Sequence, residues 1–96
     1  MRNRYIVSYD IREPKRLRRV FGTMRGYGDP LQYSVFICEL SAKERELMVT
    51  DLEGIIDHDS DRIMIVDMGG IETEGAKRIK FLGRQTPLPE REAVII

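Results

Sequence analysis

The chain carries one cysteine, Cys38, and one histidine, His58, in 96 residues. A lone cysteine excludes an intrachain disulfide and a thiolate cluster for zinc or iron–sulfur, so Cys38 reads as a small core hydrophobe and the cytoplasm as the natural compartment. A lone histidine in a polar loop, far along the chain from any basic cluster, leaves hydrolytic chemistry without an obvious general base. Long apolar runs are also missing: residues 6–9 are far too few for a signal h-region or a membrane span, and the chain is expected to be neither exported nor inserted. No Walker loop, dinucleotide fingerprint or RNP-like aromatic run occurs, so those nucleotide-binding classes lack their defining residues.

Net charge is absent too, with 16 Lys/Arg against 16 Asp/Glu, yet the charges are unevenly spread. Residues 1–27 hold eight bases against two acids, residues 28–60 two against eight, and residues 61–96 six against six. A chain polarised in this way can grip a polyanion with one face while staying neutral overall. A length of 96 residues makes one compact domain that buries a modest share of its surface, so a partner copy is expected.

What is present starts at the N-terminus. Arg4-Tyr5-Ile6-Val7-Ser8-Tyr9-Asp10 reads as a strand, with Tyr5, Val7 and Tyr9 on one face and Ile6, Ser8 and Asp10 on the other. Strand interiors disfavour Asp, so Asp10 marks the end of the strand, where its carboxylate is free to meet water, phosphate or metal. Five cations follow within eight residues: Arg12, Lys15, Arg16, Arg18 and Arg19. An acid that holds a metal and bases that hold phosphates are the two halves of a phosphodiester site.

Proline at position 14 suits a first helical turn, and Leu17, Val20, Phe21, Met24 and Tyr27 follow as one apolar stripe. Lys15 and Arg16 in that first turn oppose the helix macrodipole, which suggests that positive charge is needed there. Residues 26–30 read as the end of the helix, and residues 32–40 as one strand. Ser41 and Glu44 match a capping box, with Met48, Leu52, Ile55 and Ile56 as the core face of the helix that follows. Residues 57–61 form a polar loop, residues 63–66 read as a central strand buried on both faces, and residues 79–83 as a short edge strand. The methionines read as packing. The tail, with Pro87 and Pro89 before Val94-Ile95-Ile96, is well placed to reach a partner's sheet edge. Residues 1–83 are expected to form the domain and residues 84–96 an arm whose strand pairs at a dimer interface.

Two helices cover one face of a sheet, while these strands are apolar on both. The other face needs a second copy, and a homodimer with sheets packed face to face is the default.

Tyr9-Asp10-Ile11, the basic helix, Gly28 and Gln32-Tyr33-Ser34-Val35-Phe36 together resemble the CRISPR-associated protein 2 family of prokaryotic adaptive immunity, over roughly residues 4–83. The resemblance implies an α+β, ferredoxin-like (βαββαβ) sandwich, a homodimer whose two-fold axis brings together the first-strand Asp of each subunit, and a magnesium-dependent phosphodiesterase. By position it makes Asp10 the metal-binding residue. Tyr9 and Phe36 match aromatic positions beside the family's site, Ser34 the motif serine, and Arg19 a basic position of the first helix. Apolar Leu17 stands where a basic residue is often found, so Arg16 or Arg18 would have to supply that charge. The βαββαβ order also requires a strand near residues 31–33 that periodicity does not reveal.

Each candidate has a plainer explanation: Asp10 as a strand-end acceptor, Tyr9 and Phe36 as core, the basic helix as a solvated face. Mg²⁺ takes about six oxygen ligands, often with only one or two protein carboxylates, so one Asp10 is too few and two across a dimer axis suffice. Two function classes lead: a metal-dependent nuclease on RNA or DNA, and a non-catalytic dimeric hub that holds duplex DNA and docks the CRISPR integrase during spacer acquisition. A small-ligand regulatory module of the same fold is the third.

Overall fold

The first strand alternates as the sequence predicts and runs straight to the acid. In this computed structural model, which describes residues 1–72 and 75–84, β1 spans Arg2–Asp10, α1 Pro14–Arg25, β2 Gly28–Gln32, β3 Val35–Ser41, α2 Ala42–Glu53 and β4 Arg62–Gly70, followed by a 3-10 turn at Gly75–Arg78. The order βαββαβ and the antiparallel sheet β2-β3-β1-β4 give the expected α+β, ferredoxin-like architecture.

Helix starts follow local chemistry. Extended Glu13 accepts the backbone N–H groups of Lys15 at 3.0 Å and Arg16 at 2.9 Å, so a carboxylate sits at the N-terminus of α1 and offsets the cations of its first turn. Those two bonds hold the Glu13 carboxyl below its ordinary value. At α2 the capping box forms: the Ser41 hydroxyl accepts from Glu44 N at 3.1 Å, and Ser41 N donates to the Glu44 carboxylate at 2.8 Å.

One face of the sheet carries the core. Tyr5, Val7 and Tyr9 of β1 stand beside Phe36, Cys38 and Leu40 of β3 and meet Val20 and Met24 of α1 and Met48 and Leu52 of α2. Val7, Val20, Met24, Phe36 and Met48 have no accessible surface. Cys38 is a buried core residue and His58 lies in an exposed loop.

Three expectations about the strands are corrected. Residues 32–40 are not one strand: β2 and β3 are separated by a turn at Tyr33 and Ser34, and β2 begins at Gly28. A side chain at Gly28 would collide with the Ile37 carbonyl and come within 2.5 Å of Cys38 Sγ, so the close strand approach requires glycine. The apolar run at 63–66 is not a central strand, because β4 lies at the edge of the sheet beside β1, with Met64 59% exposed and Val66 39%. Met64 is therefore no packing residue within this chain. Residues 79–83 form no strand. The proposed arm strand at 94–96 lies outside the described residues.

Candidate active site

Alternation along β1 divides the sequence candidates between two layers. Asp10 falls in register with Arg62 of β4, and Ser8 with Met64 of β4 and Val35 of β3, so these residues share the face that no helix covers. Ser8, Asp10, Arg62 and Met64 line one open cleft of about 350 Å³. The Asp10 carboxylate is 68% exposed, and the nearest Arg62 nitrogen lies 3.8 Å away with its own side chain 87% exposed. A pair this open contributes little to stability and is free to exchange partners.

Tyr9 and Phe36 lie on the other layer. Their rings stack at 6.2 Å between centroids, and Phe36 also meets Phe21 edge-on at 5.4 Å. The Tyr9 hydroxyl donates to the Tyr33 carbonyl at 3.0 Å. Burial, with a smaller contribution from Tyr33, pushes the phenol up to about 12, so near neutral pH it donates hydrogen bonds and is no base. Ser34 sits in the turn beside this pair, where its carbonyl accepts Tyr9 N–H at 3.1 Å. The structure thus joins Tyr9, Ser34 and Phe36 into a support beneath the strand end, and places Asp10 alone on the open side.

The five cations also separate. Arg16 is spent inside the molecule: its Nε donates to Asp61 at 2.8 Å and its Nη2 at 3.4 Å. Arg12, Lys15, Arg18 and Arg19 are exposed, and none makes a side-chain ion pair among the described residues. Lys15, Arg18 and Arg19 belong to α1, which packs against the face opposite Asp10, and Arg12 lies in the loop between Asp10 and α1.

Two residues of the site were missed by sequence reasoning. Asp61 was read as polar loop, yet its side chain has no accessible surface and accepts from Arg16, from Arg12 N at 2.9 Å and from Asp57 N at 2.9 Å. Arg16 first, then the two backbone N–H groups, hold its carboxyl well below the ordinary range against the opposing effect of burial. Arg62 meets Asp10 only through strand register. Local pattern carries no signal for either contact.

As a metal site, one chain offers hard oxygen donors that fit magnesium chemistry in kind, a carboxylate and the Ser8 hydroxyl in one open cleft. It does not offer enough of them: among the described residues no three acidic, histidine or cysteine groups converge. No described helix is long and apolar enough to cross a membrane.

Comparison with known proteins bears on family and fold. Residues 2–74 match the model of the family described as CRISPR associated protein Cas2. A Rhodospirillum rubrum protein named CRISPR-associated endoribonuclease Cas2 1 is 42% identical over 92 residues, covering 96% of this chain and 89% of that one. A Geobacter sulfurreducens protein named CRISPR-associated endoribonuclease Cas2 is 40% identical over the full length of both. Among solved structures, a hypothetical protein from Thermus thermophilus superposes with a TM-score of 0.79 at 28% identity, covering 94% of this chain and all of that one. Streptococcus pyogenes Cas2 gives 0.73 at 29% identity, covering 83% and 99%.

Proposed function

The chain belongs to the CRISPR-associated Cas2 family, and from that premise we propose that it is a magnesium-dependent endonuclease, of the endoribonuclease kind named for its relatives, acting in spacer acquisition. The observation that carries the proposal is the exposed Asp10 carboxylate at the end of β1, on the uncovered face of the sheet and opposite Arg62. Asp10 from each subunit of a homodimer would hold the ion, with nucleic-acid phosphate and water completing the shell. When bound, the ion supplies Lewis-acid polarisation of the phosphate and activation of water.

The chain's own residues do the rest. Asp10 presents its carboxylate from a rigid strand end, and Arg62, once released from Asp10, is placed to neutralise charge that develops on the phosphoryl oxygens. Tyr9, Ser34 and Phe36 hold that strand end from below rather than touching the reacting phosphate. The uncovered face supports the dimer: Met64 and Val66 are exposed on the same face as Ser8 and Asp10, and a two-fold axis there would bring the acids together.

A second reading has its own support. The free cations Lys15, Arg18 and Arg19 lie on α1, which packs against the face opposite Asp10, with Arg12 in the loop between Asp10 and that helix, so gripping and cutting need not be coupled. A dimeric hub that holds duplex DNA on its α1 helices and docks the CRISPR integrase would use the cations and not the acid. The test is cleavage of single-stranded RNA and of duplex DNA, with Mg²⁺ and with chelator, by wild type and Asp10→Ala. Mg²⁺-dependent cutting lost in the variant, by about 100-fold or more as for removal of a principal electrostatic group, supports the nuclease. Equal cutting by both proteins would sink it, and spacer integration that survives Asp10→Ala would favour the hub.

A further inference from the structure

The cationic cluster hides a division of labour. Arg16 lies on the same helix as the free cations Lys15, Arg18 and Arg19, yet it alone is drawn inward to a carboxylate without accessible surface. That carboxylate, Asp61, also accepts the backbone N–H of Arg12, two residues beyond Asp10, and the N–H of Asp57 in the loop after α2. Asp61 is moreover the residue immediately before Arg62, the cross-strand neighbour of Asp10. One buried side chain therefore fixes the backbone leaving Asp10, the backbone entering Arg62, and the first turn of α1.

We propose that Arg16 and Asp61 form a positioning clamp that sets where Asp10 presents its carboxylate for metal, and that Arg16 is not a phosphate contact. The physical reason is economy of freedom: Asp10 itself is exposed and weakly paired, so its placement must come from the backbone beneath it. A fork-shaped guanidinium holding a buried carboxylate through Nε and Nη2 is stiffer than a single bond, and it leaves no inward donor unpaired. The Nη2 group also reaches Ser60 Oγ at 3.4 Å, which ties the guanidinium further into the loop and away from solvent nucleic acid.

The inference rests on the reading of Asp10 as the metal-binding residue, and two measurements separate its failure from the failure of that reading. The first is Mn²⁺ binding followed by electron paramagnetic resonance, with no nucleic acid present. Wild type should bind, Asp10→Ala should not, and the double variant Arg16→Gln/Asp61→Asn, which replaces a charged pair by a neutral hydrogen-bonded one, should bind about tenfold more weakly, as for loss of groups that orient a metal ligand. The second is the salt dependence of binding to a short DNA duplex in chelator. The double variant should keep the wild-type slope of log K against log [salt], whereas Arg19→Gln should lower it by about 0.9, the value of one phosphate contact.

Absence of Mn²⁺ binding by wild type, or unchanged binding by Asp10→Ala, overturns the reading of Asp10 and the clamp with it. Wild-type Mn²⁺ affinity in the double variant, or a slope lowered by about one, overturns the clamp alone. Should the double variant not fold, Arg16→Lys decides: it keeps the charge but loses the fork, so Mn²⁺ binding about threefold weaker supports the clamp and unchanged affinity overturns it.

Discussion

The two faces of the sheet are built from the same four strands and obey different rules. On the helix-covered face, Val7, Phe36 and Met48 have no accessible surface, aromatic rings interlock, and the Tyr9 hydroxyl has its acceptor. On the other face, exposed Met64 and Val66 lie beside an open, weakly held Asp10–Arg62 pair. The first face carries the core, and the second carries exposed apolar groups that no helix of the chain covers. Residues that repeat every second position along β1 thus alternate between stability and availability, which is why Tyr9 and Asp10, adjacent in sequence, have opposite environments.

That contrast can be broken from the stable side first. Phe36→Ala empties a fully buried aromatic site and should lower stability by about 3–5 kcal/mol, seen as a reduced urea midpoint. A loss under about 1 kcal/mol would mean that the covered face is not the core that holds the fold. From the open side, Val66→Glu should leave the monomer's stability nearly unchanged while weakening a face-to-face dimer by about 2–5 kcal/mol, the effect of an uncompensated charge at an interface. Sedimentation at micromolar protein should then show dimer for wild type and monomer for the variant, and an unchanged dimer would move the interface elsewhere.

The smallest effect sharpens the boundary between the faces. Asp61 is held below its ordinary value in the folded chain, so on acidification the unfolded chain takes up the proton first. The stability contributed by Asp61 is therefore fully present above the unfolded value of about 3.9 and is lost as pH falls through the lower folded value. Glu13 and Glu44 are shifted in the same direction and add to the loss. Urea midpoints between pH 6 and pH 3 should fall for wild type and fall less steeply for Asp61→Asn; parallel curves would show that the buried carboxylate is not coupled to folding.

Elements with strong local chemistry were legible in advance. Proline at 14, the Ser41–Glu44 box and the alternation of β1 each state their structure within a few residues, and each is where it was expected. β2 was not legible, because Gly28, Asp29 and Pro30 are turn residues by composition. They make a strand here because β2 is an edge, where proline loses no ladder bond to solvent, and because only glycine allows the approach to Ile37. β4 misled in the opposite sense, since an apolar run was read as burial on both sides and the strand is exposed at an edge. Of the candidate site, Asp10 was placed correctly at its strand end, while the clamp on Arg16 and the approach of Arg62 depend on residues about 45 and 52 positions away along the chain.

By itself the sequence determined the first strand and its end at Asp10, both helix starts, the basic first helix and the family, because each is written in residues near one another or in a motif of fixed order. Only the tertiary structure decided which of the cations are free, which face of the sheet is left open, and what stands opposite Asp10. The reason is physical. Register and burial arise from contacts between distant segments, whose energies are settled when the chain closes on itself, and no local pattern distinguishes an arginine that faces solvent from one that has found a buried acid.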